Sequence, residues 1–196
     1  MLSFGLACFL LFITPGPGVL TLAGVGSGYG YRHGLVYGIG LFAGTNLVAL
    51  AVVTGLAAVL LADPVIRTVL LWASAAYLLY LAYRIAFSGT KIGFIGAPKA
   101  PGIMGGIMLQ AVNPKAYVVN TALFTGFPIE RLSIEVEILV KFLIMNAFWL
   151  SIHTVWLTAG VFLHRLDLSP RAQFGINIFM ALAMLAVVAL AAWREM

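Results

Sequence analysis

Long stretches without charge dominate the pattern of polar and apolar positions. From Met1 to Tyr31 no side chain is charged, and Gly34–Ala62, Thr68–Tyr83 and Ala172–Trp193 contain no Asp, Glu, Lys or Arg. Pro101–Ile129 holds only Lys115, and Phe142–Leu163 holds His153 but no full charge. A bilayer core about 30 Å thick is crossed by about 20 apolar residues in a helix, and a backbone surrounded by lipid must satisfy its own hydrogen bonds. The pattern therefore predicts an all-α integral membrane protein with six transmembrane helices. The first run is read as a span and not a signal peptide, because neither a positive n-region nor a small-residue cleavage site precedes Gly5.

Two of these spans are interrupted. Span 1 carries Thr14-Pro15-Gly16-Pro17-Gly18 and span 4 carries Asn113-Pro114-Lys115. Proline lacks an amide donor and displaces the carbonyl four residues back, which is expected to free the oxygens of Leu11, Ile13 and Gln110. Glycine leaves bare backbone that a ligand can approach. Pro15 and Pro114 lie 99 residues apart in a chain of 196. Asn46 answers Asn146 at nearly the same offset, and Ala82-Tyr83-Arg84 echoes Ala192-Trp193-Arg194. The stretch Phe87–Pro101, with Gly89, Gly93, Gly96, Pro98 and Pro101, reads as the one linker. One membrane domain, 1–196, is thus expected to consist of two three-helix repeats, 1–87 and 101–196. Three spans per half make the repeats inverted, the plan of many secondary transporters, whose sites form at matching broken helices.

Composition agrees with burial in lipid: 63% of residues are hydrophobic and 9% charged, against roughly 25% charged in soluble domains. The net charge of +5 resides mostly in the connections, so it speaks to topology and lipid headgroups and not to nucleic acid. Connections after spans 1, 3 and 5 hold Arg32, Arg84, Lys91, Lys99, Arg165 and Arg171, against Arg67, Arg131, Lys141 and Arg194 on the other side. That bias places the first set in the cytoplasm and both termini outside. Cys8 is the only cysteine, which excludes an internal disulfide, a cysteine zinc site or a dithiol relay.

Among chemistry-bearing residues, Lys115 is the one full charge expected inside a span. Its stem snorkels, it salts a freed carbonyl, or it faces the cavity and meets a substrate carboxylate. His153, between Ser151 and Thr154 nearby, is a candidate coupling residue because imidazole titrates near neutrality. Asn46, Asn120, Asn146 and Asn177 read as interhelical glue, with one or two lining a pocket, and Gly34, Gly38, Gly40 and Gly44 as a close-packing stripe. The candidate transport site is Thr14, Pro15, Gly16, Pro17, Gly18, Asn46, Asn113, Pro114 and Lys115. No zincin helix, nucleophile elbow or phosphate loop occurs. With no carboxylate expected in a span and one buried histidine, no metal, haem or other cofactor is expected.

Phe12-Ile13-Thr14-Pro15-Gly16-Pro17-Gly18, the glycine run to Gly44, Ala76-Tyr77-Leu78-Leu79-Tyr80-Leu81 and Asn113-Pro114-Lys115-Ala116 together resemble the LysE/RhtB superfamily of amino-acid exporters. The resemblance covers nearly the whole chain in order. It implies an inner-membrane permease of six helices in two inverted repeats that exports amino acids or similar small metabolites by proton antiport. Three places depart from the family pattern: Thr45 follows Gly44 where many members have Asp, Val118-Val119-Asn120 stands where basic-amino-acid exporters have one, and Thr125-Gly126-Phe127-Pro128 replaces the usual L-P-Q-F. These departures weigh against a cationic substrate. The leading reading is a secondary exporter of a small zwitterion, not an enzyme, with self-association left open. The rivals are a non-transporting membrane scaffold, a divergent exporter of another small solute, and an intramembrane enzyme using His153 and Lys115.

Overall fold

A computed structural model describes residues 1–14, 16–57, 62–86, 99–129 and 132–165, together with 169, 171, 172, 174, 175, 178, 179 and 182. The described residues form helices and no strand. The first two are α1 (Leu2–Ile13) and α2 (Pro17–Tyr29), bent by 52° across the Thr14–Gly16 break. Gly16 is the extended N-cap of α2, and Pro17 sits at its first helical position, where the missing N–H costs nothing. Gly30, at φ 80°, turns the chain into α3 (Tyr31–Val53), a conformation that only glycine adopts without strain.

After Gly55, also at positive φ, comes α4 (Pro64–Ala86). Asp63 caps it by accepting from the Val65 and Ile66 amides at 2.7 and 3.3 Å. The second broken unit is α5 (Ile103–Val112) and α6 (Pro114–Gly126), and α7 (Ile134–Arg165) follows. Asn113 joins α5 to α6 with extended backbone, its Oδ1 accepting from the Lys115 amide at 3.1 Å while Pro114 takes the first helical position.

Two helices, Tyr31–Val53 and the Ile134–Phe162 part of α7, are long and apolar enough to cross a membrane, and the bent α1–α2 pair makes a third if counted as one span. Among the described residues this is an all-α membrane protein. Most of the expected sixth span, Ala172–Trp193, most of the linker Phe87–Pro101, and Pro15 lie outside the described residues. The expected second span is shorter than its apolar run, because α3 ends at Val53.

Two expectations about charge are corrected. Helix α7 begins eight residues before the uncharged run that marked span 5, so Glu135, Glu137 and Lys141 belong to a helix and not to a connection. Acidic side chains in a first turn favour the positive end of the helix dipole. Lys141 is 2% exposed; its Nζ pairs with Glu137 Oε1 at 2.7 Å and donates to the Phe124 carbonyl at 3.0 Å near the end of α6. Lys115 is therefore not the one charge within such a helix.

Small residues set how closely the helices approach. A Cβ on Gly40 would run into the Ile103 carbonyl, and one on Gly106 into the backbone of Tyr37 and Leu41, so α3 and α5 touch backbone to backbone. Gly160 lies in the same way on the Ala23 backbone, joining α7 to α2. These contacts make α2 the interior helix, buried from Pro17 to Ser27. Its first turn is thereby held against α3, α5 and α7.

Candidate functional site

The first turn of α2 is locked by one hydroxyl. Thr21 Oγ1 donates to the Pro17 and Gly18 carbonyls at 2.6 and 3.0 Å, and Tyr37 of α3 donates to that same oxygen at 3.1 Å. The amides of Gly18 and Val19 are different. Leu20 makes the first amide bond back, to the Gly16 carbonyl at 3.0 Å, and no side chain caps α2. Among the described residues these two amide donors have no acceptor, at the positive end of a helix.

A cavity of about 50 Å³ opens beside this end. Leu11 and Phe12 of α1, Gly16, Gly18 and Val19 line it from one interruption; Gln110, Asn113, Lys115, Ala116, Val119 and Asn120 line it from the other. Thr45 of α3 and Trp149 and His153 of α7 complete the wall. Of the sequence-predicted residues, Gly16, Gly18, Asn113, Lys115 and His153 therefore come together. Thr14 joins them through its carbonyl, which accepts from Lys115 Nζ at 2.6 Å. Pro17 and Pro114 shape the two helix starts. Gly16 lies directly under the end of Lys115: a Cβ there would sit 2.7 Å from Lys115 Cδ and 2.9 Å from Nζ, so the flexible lysine end would have to shift.

Asn46 is placed elsewhere. It exchanges two amide hydrogen bonds with Asn146, at 3.0 and 2.9 Å, and does not line the cavity. The expected release of the Gln110 carbonyl is also corrected. Asn113 N turns back to it at 3.3 Å in a tightened last turn of α5, and the Ala111 carbonyl accepts from Tyr117 Oη at 2.8 Å. The oxygen that Lys115 receives is that of Thr14.

Polar residues that sequence reasoning underweighted link the wall. Asn113 Nδ2 donates to Gln110 Oε1 at 2.9 Å, and Gln110 Nε2 donates to Thr45 Oγ1. His153 stacks on Trp149, ring centroids 3.6 Å apart and 12° from parallel. Its Nδ1 lies 2.9 Å from the Trp149 carbonyl, which can only accept, so Nδ1 carries the proton of the neutral ring and Nε2 keeps a lone pair. A signal was available for Asn120 and Trp149. Asn120 lies seven residues after Asn113, on the same helical face, and Trp149 four before His153. Thr45 and Gln110 carry no such mark, because only the α3–α5 contact brings them together.

Five lining residues are polar and at most 5% exposed: Thr45, Gln110, Asn113, Asn120 and His153. Lys115 is the one full charge among the lining residues, and no Asp or Glu is present there. Such a wall suits a small solute with an anionic end and offers little to a second cation. The family model of the LysE type translocators matches residues 9–194. The chain belongs to that family. Membership makes this LysE type protein a transporter and not an enzyme. Its relatives include the leucine efflux protein of Enterobacter sp. (strain 638), 24% identical over 130 residues, 64% of this chain and 62% of that protein's length. The cysteine/O-acetylserine efflux protein of Escherichia coli (strain K12) is 28% identical over 178 residues, 89% of this chain and 87% of that protein. No solved structure matches the chain.

Proposed function

We propose that this translocator is a secondary active exporter of a small amino acid with an uncharged side chain, carried as a zwitterion through the cavity between the two interrupted helices. The observation that carries this reading is the lining of that cavity: one lysine, the uncapped start of α2, and no carboxylate. Amide donors at a helix start, together with a cation, are suited to an α-carboxylate. The relatives named for leucine and for cysteine or O-acetylserine efflux point to the same substrate class.

The wider layout belongs to this proposal. A single domain of six spans in two inverted repeats, 1–87 and 101–196, sits in the cytoplasmic membrane with both termini outside. Two supports are that α1–α2 and α5–α6 break at matching places and that Asn46 bonds to Asn146, 100 residues on. Export is driven by proton antiport, with His153 as the proton carrier.

A cavity of about 50 Å³ has room for no more than a few waters, so an amino acid enters only when the two half-helix pairs part. Lys115 bridges them by its bond to Thr14. An arriving carboxylate competes with that carbonyl for Nζ, and so loading and opening are one event.

The test is counterflow of labelled leucine, cysteine and O-acetylserine in sealed vesicles. Wild-type protein should exchange at least one of them, and His153→Gln should keep exchange while losing uphill export. Lys115→Gln should weaken the substrate about ten- to hundredfold, since one buried charge-assisted bond is worth about 1.5–3 kcal/mol, and should weaken its carboxamide little. No exchange of any of the three by wild-type protein would sink the reading.

A further inference from the structure

We infer that the substrate's ammonium group is received by Asn120 Oδ1 and His153 Nε2. This rests on the reading of the cavity as an amino-acid site and adds which groups take the ammonium end. The starting point is an unmet acceptor. Asn120 is 1% exposed, lines the cavity, and its Oδ1 is the one buried side-chain oxygen or nitrogen among the described residues with no hydrogen-bond partner. A buried carbonyl oxygen without a donor is costly, and such groups call for a specific explanation.

The amide cannot be turned to remove the problem. Its Nδ2 donates to the Ala116 carbonyl at 2.7 Å, and a flip would set two acceptors against each other. Oδ1 is therefore held as an acceptor. Two of the backbone carbonyls at the breaks, those of Thr14 and Gln110, already have donors.

A second, independent acceptor faces the same space. The bond from Nδ1 to the Trp149 carbonyl leaves His153 Nε2 with its lone pair, 3.7 Å from where a Cβ on Gly18 would sit. Asn120 reaches the cavity from α6 and His153 from α7. An ammonium carries three donors and no acceptor, so it fits two neutral acceptors in a wall without carboxylates. A thiol, a thioether or an ester offers no such set.

A consequence for coupling follows. A proton on Nε2 and an ammonium N–H cannot share one lone pair, so protonation of His153 and loading of substrate exclude each other. The groups facing this ring are Trp149 of its own helix, Gly18 of α2, Gln110 of α5 and Lys115 of α6, and the last is the one charge among the lining residues.

The experiment measures binding to the purified full chain of leucine and of isocaproate, which is leucine without its amino group. Wild-type protein should bind leucine at least tenfold tighter. Asn120→Leu, close in volume, should weaken leucine about tenfold and leave isocaproate unchanged. Asn120→Asp should move the two apart, holding leucine and weakening isocaproate, which a merely structural role would not do. Equal binding of both by wild-type protein, or equal loss of both in Asn120→Leu, overturns the inference; the first comparison decides even if the variant does not fold. Loss of the amino-acid reading looks different: wild-type protein then binds neither compound.

Discussion

Replacing Gly18 with alanine separates stability from transport. In the structure a Cβ at this position would lie 3.7 Å from His153 Nε2 and 3.8 Å from Gln110 Nε2, ordinary contact distances that require no neighbour to move. Gly18 sits in the first turn of α2, and its backbone is not one of those at positive φ. Alanine should therefore stabilise the fold by about 0.4–1 kcal/mol through the lost freedom of the unfolded chain. The methyl group would project toward His153 and Gln110 into the cavity of about 50 Å³ and narrow it. It would also cover the amide end proposed for the carboxylate. The expected outcome is unchanged or higher thermal stability in detergent, with export in sealed vesicles reduced at least tenfold. A variant that is equally stable and exports at the wild-type rate would show that substrate does not pass this wall. A variant that unfolds would refute the packing argument.

Two further predictions concern the frame around the site. Asn46→Leu or Asn146→Leu alone breaks a reciprocal amide pair and should cost about 0.6–2 kcal/mol, while the double variant recovers most of it; strictly additive losses in a double-mutant cycle of thermal unfolding would show no coupling. Gly40→Ala and Gly106→Ala each press a methyl into backbone across the α3–α5 contact, at about 1–3 kcal/mol or more. Gly126→Ala, within α6 and meeting nothing within 4 Å, is the control and should not lower stability. Equal tolerance of all three by size-exclusion chromatography would contradict the close crossing.

What the residues made legible on their own was the class and the two weak points. Uncharged runs of span length admit few structures in lipid, because every backbone group there needs a partner within its own segment. Pro17 and Pro114 interrupt a helix whatever surrounds them, since neither has an N–H to give and both preset the backbone that starts a new helix. The helix breaks at Thr14–Gly16 and Asn113 follow from that local chemistry.

Tertiary structure alone decided what meets at those breaks. Lys115 could have salted a carbonyl or awaited a substrate; its reach to Thr14, 101 residues away, depends on how α1 and α6 pack. Asn46 and Asn120 are the same residue type in apolar helices, yet one is paired with Asn146 and the other lines the cavity and keeps an unmet oxygen. Lys141 looked like a loop charge because a run of uncharged residues begins just after it. The helix starts earlier, and a partner at Glu137 with a carbonyl at Phe124 lets the amine be buried. Local sequence determines where a backbone bond is lost, because proline and glycine act within one turn. Which donor replaces it is decided by helices distant along the chain, whose approach is set by Gly40, Gly106 and Gly160.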